Sequence, residues 1–286
     1  GFGGADFAPQ LTLQPKDDAT FVHLQPRDQV LTLTFDTEQR YCTGWHNLET
    51  SESLPCPDDA KLPPKYHQCI HCQRKTGFNP AFYHAKTISA QQQARNQLPH
   101  SLYLAHFGTE VIKIGITWAE RGIKRFLDQG ARSGLIVKIY PSADIARQRE
   151  AQAAKLMGIY ETVQVRAKLK LLTAQYSAEQ GIMDLNNARE YIKNEIKITP
   201  EANTPEYFDS HYLGKNELKI SSLKNVSAEN AISGRCIGMI GNVLITAQGS
   251  SQYMLPLGTL LGYRFTLRYT EEQQTTQAEQ ISLFRS

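Results

Sequence analysis

Four cysteines, Cys42, Cys56, Cys69 and Cys72, fall within one short stretch of the chain. The last two form a C-x2-C pair, a spacing that lets two thiolates converge on one tetrahedral metal ion. Pro55 and Pro57 flank Cys56, and Pro63-Pro64 precede the pair, so the stretch is loop-rich and poor in apolar residues. Such a segment has no core of its own to fold on. A structural Zn²⁺ would supply the missing free energy, about 10–16 kcal/mol in small zinc peptides. Disulfides and a redox Cys-x-x-Cys are the competing readings. No secretory signal accompanies the first, and proline-rich loops with two extra cysteines ill suit the second. His46, His67 and His71 are near enough in sequence to replace one thiolate. The pattern favours a four-cysteine site, whose coordination shell would be full and therefore structural. Cys236, between Arg235 and Ile237 in an apolar stretch, reads as a buried free thiol.

A second group of reactive side chains lies further on: Tyr103, Lys113, Arg121, Arg125 and Glu150, with Thr117, Lys124, Arg132 and Arg147 among them. Taken singly, Tyr103 reads as a half-buried strand aromatic and Glu150 as a solvated helix residue. Their order along the elements that must carry them is the stronger signal. Leu102-Tyr103-Leu104-Ala105 and the run from Val111 to Thr117 are apolar or β-branched, and Gly108-Thr109-Glu110 between them is a turn. That pattern predicts a β-hairpin. Ile123, Phe126 and Leu127 then recur at helical spacing among charged residues, with Gly130 and Gly134 closing the helix. Leu135-Ile136-Val137-Lys138-Ile139-Tyr140 reads as a third strand, and residues 143–155 as a second helix bearing Arg147, Arg149 and Glu150. The order is β-β-α-β-α.

That order, with those residues, resembles the GIY-YIG nuclease superfamily. Ser101-Leu102-Tyr103 lies where the superfamily has its first tripeptide and Lys113-Ile114-Gly115 where it has the second; Arg125 matches its arginine and Glu150 its metal-binding glutamate. Lys113-Ile114-Gly115-Ile116-Thr117, followed by the run from Arg125 to Ala131, resembles more closely an uncharacterised bacterial family, a domain of unknown function that joins a cysteine cluster to such a module. This closer resemblance extends over residues 30–267. It implies that Tyr103 holds or deprotonates a water, Arg125 clamps phosphate and Glu150 binds a catalytic Mg²⁺ or Mn²⁺. One carboxylate suffices for a hydrated Mg²⁺, which keeps several waters. Arg121, one turn from Arg125, is its understudy. Lys113 stands where the nucleases usually carry tyrosine. An ammonium there can neutralise phosphate, or it can mark a site that binds nucleic acid without cutting it.

Other residues extend the expected nucleic-acid surface. Thr117 is expected to cap the first helix and offer its amides to an anion. Lys124, Arg132 and Arg147 add cations, and Tyr103, Tyr140, Trp118 and Trp45 are candidates for base stacking. The leading expectation is a metal-dependent endonuclease-like protein hydrolysing phosphodiester bonds in DNA or RNA. The alternative is a non-catalytic nucleic-acid-binding protein on the same fold, stabilised by structural zinc.

The rest of the chain bounds these readings. The 286 residues are 41% hydrophobic and 21% charged, ordinary for a folded protein, with a formal charge of only +3. The excess is local: residues 98–172 hold twelve Lys/Arg against six Asp/Glu. No apolar run approaches the roughly 20 residues that span a bilayer, and no signal peptide is visible at Gly1-Phe2-Gly3-Gly4, so a cytoplasmic location is expected. An α+β fold is predicted. Residues 1–40 would pack strands on a C-terminal β domain, and 41–97 would form the zinc module and connector. Residues 98–172 would be the GIY-YIG-like module, 173–200 an amphipathic helix opening at Ser177 with Gln180, and 201–286 a small antiparallel β domain with a polar tail. Short strands are expected at 11–13, 29–35, 218–220, 235–240, 242–246 and 263–267, with Gly241-Asn242 as a hairpin turn. Residues 78–84 read as an aromatic, rigid packing segment. Residues 163–171 are basic and alternating, a helix or edge strand near a polyanion. Gly158 reads as a helix C-cap.

Overall fold

A computed structural model describes residues 1–3, 7–16, 18, 20–79, 87–226 and 231–269. The chain forms two compact units, one of residues 1–46, 53–75 and 212–286, the other of 47–52 and 76–211. The fold is mixed α and β, with the cysteine cluster on the N-terminal side and a largely antiparallel β region at the C-terminal end.

In the second unit, β1 (His100–Gly108) and β2 (Val111–Trp118) form the predicted antiparallel hairpin, with Leu104 opposite Ile114 and Tyr103 opposite Gly115. The helix α1 (Lys124–Gln129) ends at Gly130, which adopts the left-handed conformation that a Cβ disfavours. Next, β3 (Ser133–Tyr140) pairs with the other edge of β1. The helix α2 (Ala143–Ala153) starts where the Ser142 hydroxyl accepts the Ile145 N–H. Then β4 (Ile159–Tyr160) runs parallel to β2. Two helices follow, α3 (Val165–Leu172) and α4 (Ala178–Ile196), and the Ser177 hydroxyl caps α4 by accepting the Gln180 N–H. Finally β5 (Glu206–Tyr207) pairs with β3, giving a sheet ordered β4-β2-β1-β3-β5.

Strand alternation divides the side chains between two faces. Leu102, Leu104, Ile112, Ile114, Leu135 and Val137 pack against Ala146 and Ala153 of α2 and Leu185, Ala188 and Ile192 of α4. Each such aliphatic residue contributes about 1.5–3 kcal/mol when fully buried. The opposite face carries Tyr103 beneath α1. The Tyr103 ring meets Phe126 edge-on at 5.2 Å, and Phe126 stacks on Phe208 at 5.3 Å.

In the first unit the long strand Val30–Tyr41 is flanked by Ile232–Ile240 and Tyr263–Tyr269, both antiparallel. Val243–Gln248, Ser251–Pro256 and Leu223–Asn225 extend the sheet, the last of them in parallel. Ile240 opposes Val243 across the Gly241-Asn242 turn, and Leu11–Leu13 pairs with Val22–Leu24 in a separate ribbon. Cys236 is fully buried, and burial pushes its thiol up to about 12.

Several local expectations need correction. Gly134 does not close α1 but lies in β3, where a Cβ would come 2.5 Å from Cε1 of Phe126. Gly158 precedes β4, and Ala154 caps α2. The strand expected at 218–220 is displaced to Leu223–Asn225, after a 3-10 turn at Ile220–Ser222. Residues 163–171 resolve as a helix. Most of the aromatic segment 78–84 and all of 270–286 lie outside the described residues.

Gly115 is the tightest constraint on the hairpin face. A Cβ at this position would stand 2.5 Å from Cζ of Tyr103, inside a rigid ring held by Phe126. Gly115→Ala should therefore destabilise the protein by about 1–3 kcal/mol in denaturant titration. An unchanged midpoint would show that the Tyr103 ring is not fixed here.

Candidate functional sites

The four cysteines converge from three local segments of one stretch of chain. Cys42 follows the strand Val30–Tyr41, Cys56 sits in the proline-flanked loop, and Cys69 and Cys72 lie just before and within the helix Ile70–Thr76. Their four Sγ atoms lie within 4.8 Å of one another, and Cys56 and Cys69 are 4.0 Å apart at sulfur. A tetrahedral Zn–S bond of 2.3 Å implies sulfur edges of about 3.8 Å, so the set fits a zinc ion. All four thiols are free, which sets the disulfide reading aside. Backbone N–H groups of Cys69 and Cys72 point at Sγ of Cys42 and Cys69, at 3.2 and 3.4 Å. Burial pushes the Cys42 and Cys72 thiols up. For Cys69 burial is outweighed by hydrogen bonds from Cys72, Cys42 and Cys56, which bring it down to about 7. Deprotonating all four in so small a volume would need a cation to balance the charge. The histidines are engaged elsewhere: His46 with Ser53, His67 with Arg40 and His71 with Asp58. The cluster could coordinate one structural zinc, with Trp45, Ala60 and Leu62 packed around it.

The second site is built around Tyr103. Its phenol oxygen accepts the Arg125 Nε–H at 3.1 Å and the Gln129 Nε2–H at 3.0 Å, and its own proton faces Oε1 of Gln129 at 3.2 Å. The Lys113 ammonium stands 5.7 Å from the centre of the Tyr103 ring and donates to the carbonyls of Ile114 and Glu161. Lys168 of α3 donates to the Gln129 carbonyl at 2.7 Å and lies over the Phe107 ring. Burial and the charges of Lys113 and Arg125 bring the Lys168 ammonium down to about 8.

These three cations share a property. Among the described residues, Lys113, Arg125 and Lys168 donate only to carbonyl or phenol oxygens, and no carboxylate pairs with any of them. Lys168 and Gln129 are members that the sequence did not single out. Lys168 was legible only as one of three alternating basic residues, of which Arg166 and Lys170 are exposed. Gln129 carried no signal at all.

Glu150 is buried, not solvated. Its carboxylate bonds to Arg147, which also pairs with Glu161 at 2.5 Å. Burial pushes the Glu150 carboxyl up, while Arg147 and Lys113 oppose the shift. Glu150 is thus within electrostatic range of the Tyr103 group, but its hydrogen bond goes to Arg147. With a guanidinium on its carboxylate, this arrangement offers Mg²⁺ or Mn²⁺ no ready ligand.

The remaining expected residues divide. Thr117 lies buried inside β2 and caps nothing; α1 starts after Ile123 with no side-chain cap. Arg121 sits in a separate 3-10 turn, ahead of Gly122, and pairs with Asp128 at 2.7 Å. Arg132 is buried in a two-bond pair with Asp209, so it is structural. Lys124 is exposed. The proposed stacking rings are occupied: Tyr103 and Tyr140 are buried, Trp118 lies under Arg95, and Trp45 packs at the cysteines. A cavity of about 340 Å³ lies on the same sheet face beyond Phe126, lined by Ile123, Ile136, Phe208 and Glu206. No helix among the described residues is long and apolar enough to cross a membrane.

Residues 83–264 match the family described as "Protein of unknown function (DUF2797)", well over half of the chain, and the chain belongs to that family. The matched segment includes the Tyr103 group and begins after the cysteine cluster. No curated protein and no solved structure matches the chain.

If the cysteine cluster is structural, purified protein should carry one zinc per chain by native mass spectrometry. Chelation or Cys69→Ser should lower its melting temperature sharply. An unchanged melting temperature after zinc removal would contradict this.

Proposed function

We propose that this family member binds nucleic-acid phosphates on the face around Tyr103, through a module of GIY-YIG type. The observation that carries the reading is the group of three cations lacking a carboxylate partner. Like charges held together at a half-buried surface raise one another's free energy, and an anion placed among them relieves it. Arg125 suits this role because its guanidinium offers several donors in a fixed fork. Lys113 and Lys168 act as point charges on either side. The phenol of Tyr103 anchors Arg125 and Gln129, so it sets where the fork points. The ββαβα order, the position of Tyr103 opposite Gly115 and the arginine on α1 support the resemblance to the nuclease superfamily.

Hydrolysis is the second reading, favoured by the buried carboxylate of Glu150 close to Lys113. It requires the Arg147 guanidinium to leave Glu150 for Glu161, with which it already pairs. The replacement of the second tyrosine by Lys113 and the pairing of Glu150 both place binding ahead of cleavage.

One experiment separates them. Labelled oligonucleotides are titrated with wild type, Arg125→Gln and Glu150→Ala, with Mg²⁺ or Mn²⁺ present, and scored for binding and cleavage. Log affinity should fall linearly with log salt, and Arg125→Gln should flatten the slope by about 0.7–0.9. Cleavage that disappears in Glu150→Ala would establish the nuclease. A flat salt response would overturn nucleic-acid binding altogether.

A further inference from the structure

We infer that this site takes an unpaired nucleic-acid strand, with Tyr160 as the ring on which one base stacks; the inference rests on the phosphate-binding reading above. Tyr160 ends the two-residue strand β4. The sheet register gives it a more specific place. In the parallel pair of β2 and β4, Ile112 lies beside Ile159 and Lys113 beside Tyr160. Ile112 and Ile159 both enter the core under α2 and α4. Alternation therefore puts Tyr160 on the other face, in the same row as Lys113 and next to the row of Tyr103 and Gly115. Adjacent strands are about 4.8 Å apart, so Tyr160 stands about 10 Å across the sheet from the Tyr103 strand, with Lys113 between them.

The chemistry of the spot is mixed in a telling way. Tyr160 is 49% exposed, and Met157 just before it is 88% exposed. Val165, at the start of α3, is also exposed. An accessible ring thus stands beside Lys113, whose charge acts on Lys168 together with that of Arg125. The main chain of the next residue is tied to the site too, since the Glu161 carbonyl accepts from Lys113 at 2.8 Å. That bond fixes Tyr160 relative to the ammonium. In a duplex both faces of each base are covered by neighbouring bases, and a protein ring cannot reach them. An unpaired base presents a free face, which stacks on aromatic side chains whatever its identity. A cation group for phosphate beside one exposed ring therefore suits a single strand or a flipped-out nucleotide, with little sequence preference.

The test uses the full chain and fluorescence anisotropy on a labelled single strand and on a duplex of the same sequence. Wild type should bind the single strand more tightly. Tyr160→Ala should weaken single-strand binding by about 5- to 100-fold and leave duplex binding unchanged, whereas Tyr160→Phe should bind like wild type. Melting temperatures of both variants should match wild type, because the side chain is half exposed. Single-strand affinity unchanged in Tyr160→Ala, or lost equally for the duplex, would overturn the stacking role. Wild type that binds neither probe would overturn the phosphate reading itself, and this inference with it.

Discussion

Three positive charges held around one buried phenol, with no carboxylate bonded to any of them, form the constraint on which the rest of the second unit turns. Tyr103 can lie flat beneath α1 only because Gly115 opposite it has no side chain. Phe126 fixes the ring from one side, and Gly134 makes room for Phe126 in turn. The phenol then reaches Arg125 and Gln129, and the Gln129 carbonyl reaches Lys168. Each step is a short contact between groups on different elements. The hairpin, α1 and α3 are therefore held in register by the same chain of contacts that gathers the charges.

Three of the module's other cations are held differently. Arg121, Arg132 and Arg147 each have a carboxylate partner, and the Arg132 pair is buried. Removing one partner of a buried pair is costly, so Arg132 serves the fold. Lys113, Arg125 and Lys168 have been left with neutral acceptors, which satisfy their hydrogen bonds without cancelling their charge. In the proposed reading, this contrast sets the residues that support the site apart from those that would meet a phosphate. Glu150 stands between the two groups, bonded to Arg147 yet within electrostatic range of Lys113.

Much of this frame was legible in the sequence where periodicity was strong. The hairpin, α1, β3, α2 and the capped helix α4 follow from alternation, helical spacing and capping residues, and the cysteine spacing pointed to the metal cluster. What failed was local geometry that spacing cannot encode. Thr117 looked like a cap, but β2 continues through it and α1 begins only after a 3-10 turn. Arg132 looked like a surface cation because its partner, Asp209, is distant in sequence. The strand Ser251–Pro256 was missed because it opens on Ser251 and Gln252 and carries only a short apolar run. Lys168 belonged to a basic run whose inward-facing member depends on the packing of α3. Tyr160 could be placed only once the parallel register of β4 was known.

The crowding of like charges is read by titrating Lys168 through NMR of isotopically labelled lysine side chains, without and with an oligonucleotide. Lys168 faces Lys113 on β2 and Arg125 on α1, and burial adds to their effect. The ammonium should titrate at about 8 in the free protein and move upward when a phosphate strand binds, since an anion favours the charged form. Affinity should accordingly fall as pH rises through that range. A Lys168 that titrates at the ordinary lysine value of about 10.4, unmoved by the oligonucleotide, would contradict it.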